Sequence, residues 1–158
     1  GIHADIEDCC TRFWELLHQE KPNPFPHTVP LIIEVYQRLG KQYITTGSKT
    51  TRARSRIEEM GLLSYFSLIL GQGDGIDKGR QHLQLFKEHS QDSNFEKHAI
   101  YLGDGPKDME YAREFGIIPV GISTTLPEQK LRDAGAQYVI DSLEQFLPLV
   151  KRIENYKD

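Results

Sequence analysis

Cysteine is nearly missing from this chain of 158 residues: the two present, Cys9 and Cys10, are adjacent and have no other cysteine to pair with. A disulfide framework is therefore excluded, and a reduced, cytoplasmic chain with two thiols on one helix is expected. No apolar run approaches the length of a membrane span, and nothing reads as a signal peptide. An excess of positive charge is also missing. The net charge of −4 gives no electrostatic footprint for nucleic acid. The six histidines have no metal-ligand spacing, and the glycine-rich stretch 71–79 lacks the Gly-Lys-Ser/Thr of a P-loop. What remains is an ordinary globular composition, 38% hydrophobic and 27% charged, at a length that buries a real core as one domain.

The most informative stretch is Gly103-Asp104-Gly105-Pro106-Lys107-Asp108. The apolar run 99–102 before it reads as a buried strand. Residues 109–115 after it read as a helix stopped by Gly116. Two carboxylates thus stand between a strand tip and a helix start, where open α/β sheets place ligands. Hard cations such as Mg²⁺ take oxygen ligands of this kind. A capping acid with a first-turn acid is the plainer reading of the same pair.

The rest of the chain alternates. Helices are expected at 8–20, 30–39, 50–60, 80–89, 127–134 and 143–156, with strands at 42–45, 66–70, 117–122 and 138–140. Residues 21–30 carry four prolines and read as a linker. This order predicts a parallel sheet covered by helices. Residues 1–27 form a helical segment and linker, and 28–158 the core domain. Trp14 on the first helix suits either the core or a dimer surface, which leaves a homodimer open. The basic run Lys49, Arg52, Arg54 and Arg56 reads as a solvated helix face.

Three pieces stand in order: Ile44-Thr45-Thr46-Gly47-Ser48 at a strand tip, Lys78 in the glycine-rich loop, then Asp104 and Asp108. A phosphate wants this set: a hydroxyl and free N–H groups, a cation, and carboxylates to hold Mg²⁺. The arrangement resembles the haloacid dehalogenase (HAD) superfamily of phosphohydrolases over about residues 27–150. The family's second motif is matched by Thr46-Gly47, with Thr45 as the alternative hydroxyl. Its third is matched by Lys78, and its fourth, Gly-Asp-x-x-x-Asp, by residues 103–108. The resemblance implies an α/β, Rossmann-like three-layer parallel sheet of the HAD type, with a short helical N-terminal cap remnant. It also implies a small phosphorylated molecule as substrate, bound by Thr46, Gly47, Ser48 and Lys78, and Mg²⁺ held by Asp104 and Asp108.

The family's first motif, the Asp-x-Asp that carries the nucleophile on a central strand, occurs nowhere in the sequence. Asp5 with Asp8, and Asp74 with Asp77, have the wrong spacing and no apolar strand before them. Without that carboxylate the chain is expected to be inactive alone, with weak Mg²⁺ binding. A whole unpaired strand position inside a core is expensive. If the chain folds alone, strand 42–45 is therefore expected to pair directly with strand 99–102.

Overall fold

The structure, a computed structural model, describes residues 23–73 and 79–155. The expected helix at 8–20 and the two cysteines lie outside them. Helix α1, Thr28–Leu39, starts two residues before the expected position. Pro30 falls in its first turn, where a proline has no intrahelical hydrogen bond to lose. Gly40, at φ +82°, ends it by turning its N–H back to the Tyr36 carbonyl. Strand β1 is Tyr43–Lys49, helix α2 Thr50–Glu59, and strand β2 Leu68–Gln72. A 3-10 turn at Leu63–Tyr65 delays β2 by two residues from its expected start. Helix α3, Arg80–Ser90, is followed by the short α4, Phe95–His98, which the periodicity did not predict. Then come β3, Ile100–Gly103; α5, Pro106–Phe115; β4, Ile118–Ile122; α6, Glu128–Asp133; β5, Tyr138–Ile140; and α7, Phe146–Asn155. Among the described residues, no helix is long and apolar enough to cross a membrane.

Every strand pairing is parallel, as the alternation predicts. The strands nevertheless form two hydrogen-bonded groups, β1–β2 and β3–β4–β5. The expected direct pairing of 42–45 with 99–102 is not made. The two edges stay apart, and a cavity of about 1040 Å³ lies between them.

Packing explains why the gap does not close. On one face a core of Val120, Ile140, Phe146, Val150 and Ile153 takes in Val35 of α1. On the other, Leu83 and Phe86 of α3 with Phe95 of α4 pack against Tyr101 of β3. Tyr43, Leu68 and Leu70, from β1 and β2, join this second cluster. Tyr43 stacks on Phe86 at 4.8 Å between ring centroids. These rings span the gap from below. Bringing β1 against β3 would drive them into one another, and overpacked cores lose stability.

Both edge strands run in the same direction. Lys41, just before β1, donates to the Ser90 carbonyl at 2.7 Å, near Asp92 and ahead of β3. At the far end, the Thr45 hydroxyl of β1 is close enough to act on the Tyr101 hydroxyl of β3. The C-terminal tips of β1 and β3 therefore open on the same rim.

Candidate phosphate and metal site at the strand tips

β1 and β2 keep register from Tyr43↔Leu68 to Thr45↔Leu70, then again at Lys49↔Gln72. Between the last two matches β1 takes four steps and β2 two, so Thr46, Gly47 and Ser48 swell out of the ladder. Such bulges re-aim backbone and side chains at a sheet's rim. The swelling is held from beneath by Gly71. A Cβ there would sit 2.1 Å from the Ser48 carbonyl oxygen and 2.5 Å from the Thr50 nitrogen. The Gly71 N–H instead donates to Thr50 Oγ1 at 2.9 Å.

The local geometry corrects one expectation. Ser48 does not open a helix: it lies in β1, and α2 begins at Thr50. The Ser48 N–H turns to Thr46 Oγ1 at 3.2 Å. The two candidate hydroxyls are also separated. Thr45 Oγ1 meets Nδ1 of the fully buried His82 at 2.7 Å, beneath the sheet. Thr46 belongs to the bulge. Lys78 lies outside the described residues.

Across the rim, the two acids divide. Asp104 is exposed at the tip of β3, and its Oδ2 accepts from Thr125 Oγ1 at 3.2 Å. Asp108 is buried in the first turn of α5, which Pro106 opens three residues before the expected start. Its Oδ1 accepts from the Tyr101 hydroxyl at 3.1 Å and its Oδ2 from the Gly105 N–H at 3.2 Å. Gly103 makes this inward turn possible, since a Cβ there would stand 2.5 Å from the Asp108 Cβ. Burial pushes the Tyr101 hydroxyl strongly up from its ordinary pKa; the Asp108 carboxylate adds to this and Thr45 acts the other way. Tyr101 and His82 are the residues sequence reasoning missed. Their signal was weak, since Tyr101 sits within an apolar strand and His82 on the apolar face of α3 with Leu83 and Phe86.

Thr45, Thr46, Gly47, Asp104 and Asp108 all line the one cavity. The oxygen donors of the acid pair are of the kind Mg²⁺ takes. Their number falls short: among the described residues no third His, Cys, Asp or Glu joins them in a metal-sized group. Asp108 already spends both oxygens on protein donors, which leaves Asp104 as the outward ligand. The described residues therefore do not make a complete Mg²⁺ cage.

A parallel α/β core with acids and a hydroxyl at its strand tips defines a class of small-ligand site. Sequence comparison gives the family: the pattern of haloacid dehalogenase-like hydrolases matches residues 2–122, and the chain belongs to that family. The match begins upstream of the segment that carried the resemblance. A glyceraldehyde 3-phosphate phosphatase from Methanocaldococcus jannaschii is 25% identical over 133 residues, 83% of this chain and 58% of that protein. Among solved structures, a haloacid dehalogenase-like family protein from Streptococcus pneumoniae superposes with a TM-score of 0.72 at 23% identity, covering 80% of this chain and 59% of that one. A HAD-superfamily hydrolase from Ehrlichia chaffeensis gives 0.68 at 18% identity, over 85% and 62%. These structures share the fold. The chain spans about three-fifths of the length of each relative.

Proposed function

We propose that this chain carries the phosphoryl-binding and Mg²⁺-binding parts of a HAD-type phosphomonoester hydrolase, and that it is inactive alone because it holds no aspartyl nucleophile. The observation that supports this reading is the shared rim: the Thr46 bulge and the two acids open on one cavity, with no third metal-binding side chain beside the acids among the described residues. In this reading the Thr46 hydroxyl, the backbone of Gly47 and Ser48, and Lys78 take the phosphoryl oxygens. Asp104 and Asp108 hold Mg²⁺ weakly; when bound, the cation offsets phosphoryl charge. The similarity to a protein named for a small phosphorylated aldehyde favours a small phosphate ester as ligand.

A second reading has its own support. The open cleft between β1 and β3 favours a Mg²⁺-dependent hydrolase whose nucleophile segment comes from polypeptide outside the described residues.

Two measurements test the main reading. Assayed with p-nitrophenyl phosphate and Mg²⁺, the chain should show no turnover above the blank. Turnover that disappears in Asp104→Ala would overturn the proposal. Phosphate titrated by calorimetry should bind more tightly with Mg²⁺ than without. At about 4 Å and an effective dielectric near 20, each unit charge contributes roughly 4 kcal/mol, so two acids outweigh one lysine until a cation sits between them. Equal affinity with and without Mg²⁺ would remove the acids from the phosphate site.

A further inference from the structure

The cleft is unlike a small-molecule pocket. Two of its walls are sheet edges, β1 from Tyr43 to Gly47 and β3 from Ile100 to Gly103. Among the described residues neither edge has a partner strand on the cleft side. Each presents a row of backbone N–H and C=O groups, and a protein interior rarely leaves such rows unmatched. The edges run in the same direction and face one cavity of about 1040 Å³. Two side-chain hydroxyls on its lining, Thr28 and Tyr43, are buried and make no hydrogen bond.

We propose that this cleft is a docking site for one extended, apolar polypeptide segment, which enters as a single strand parallel to β1 and β3 and joins the two half-sheets into one. The chemistry of the occupant follows from the walls. Above the cleft are Leu31, Val35 and Val150; below it are Leu83, Phe86 and Phe95. A strand between two apolar layers must be apolar on both faces, so the occupant is a continuous β-branched run rather than an alternating one. Its length matches β3, about five residues. Because it runs parallel to both neighbours, its C-terminal end emerges between Thr46 and Asp104. The relatives carry polypeptide to supply such a segment, since only about three-fifths of each is matched here. The inference concerns the sheet and does not require the phosphatase reading.

The test uses the full chain and a blocked peptide with a central valine–isoleucine run and lysines at both ends for solubility. Its control is the same peptide N-methylated at alternate residues, which keeps the apolar surface and removes the donors along one edge. The unmodified peptide should bind by calorimetry and slow amide exchange in both 43–47 and 100–103. The methylated one should bind at least tenfold more weakly. Equal binding of the two peptides, or no binding, overturns the proposal. So does slow exchange of both edges before peptide is added, which would mean that the chain's own residues fill the cleft. A concentration-dependent dimer that protects the same amides would assign the cleft to a second copy and overturn it as well. None of these readouts depends on turnover.

Discussion

Replacing Gly103 with alanine should damage the molecule at one defined place. The new Cβ would fall 2.5 Å from the Asp108 Cβ and 2.8 Å from its Cγ and Oδ2. No contact of that length survives, so the tip of β3 or the first turn of α5 must move. Overpacking of this kind costs about 1–3 kcal/mol. The movement also loosens the two hydrogen bonds that hold Asp108, from Tyr101 and Gly105. At about 1 kcal/mol each they add about 2. Alanine stiffens the unfolded chain and returns about 0.4–1 kcal/mol. The net expectation is a loss of about 2–4 kcal/mol. Gly105→Ala is the control. There the nearest atom, Asp108 Oδ2, is 3.4 Å away and φ is −114°, so the change should stay within about 1 kcal/mol. Urea unfolding followed by far-ultraviolet circular dichroism measures both variants. Equal losses, or a loss below about 1 kcal/mol for Gly103→Ala, would refute the claim that Gly103 exists to seat Asp108.

Two further expectations concern pH. Burial, then the Asp108 charge, raises the Tyr101 pKa, so its contribution to stability is complete below the unfolded value of 10.0 and is lost as pH rises beyond it. Tyr101→Phe should flatten the alkaline fall in unfolding free energy between about pH 9 and 11, while lowering stability at pH 7 by about 1–2 kcal/mol through the donor lost to Asp108; an unchanged alkaline slope would contradict this. Asp92 behaves in the opposite sense. The Asn94 N–H, then His98, lowers its pKa below 3.8, so its contribution is present above that value and lost as pH falls through the folded pKa. Asp92→Asn should therefore be less stable than the parent at pH 7 and converge with it in acid, and parallel unfolding curves down to pH 2 would count against the pairing.

Much of the fold was legible because it rests on local signals. Gly40 and Gly116 end their helices at φ +82°, the left-handed geometry that favours glycine. The alternation of strands and helices predicted parallel pairing, and each pairing is parallel. The misses were of two kinds. Element starts slipped where a local device intervened, as with Pro106 in the first turn of α5 and the 3-10 turn ahead of β2. The contact between β1 and β3 failed for a different reason. Nothing in residues 42–45 or 99–102 encodes which edge they face. That is decided by Phe86, Phe95, Tyr43 and Tyr101, which come together only once α3 and α4 have packed.

The site shows the same division between what spacing carries and what packing decides. Four residues between Asp104 and Asp108 place both acids at one strand tip, and that much could be read. Spacing does not say that they face different surroundings. Asp104 looks outward to Thr125, while Asp108 is drawn under the strand because Gly103 has no side chain to stop it and Tyr101 has a hydroxyl to receive it. The neighbouring threonines divide likewise: alternation along β1 turns Thr45 down to His82 and leaves Thr46 to the bulge. Each pair thus offers one member to the rim and commits the other to the layer beneath. In that layer Thr45 and Asp108 both reach Tyr101, so the half-sheets are already tied below the cleft. A strand entering from above would then need to satisfy only the two edges and the apolar layers on either side of them.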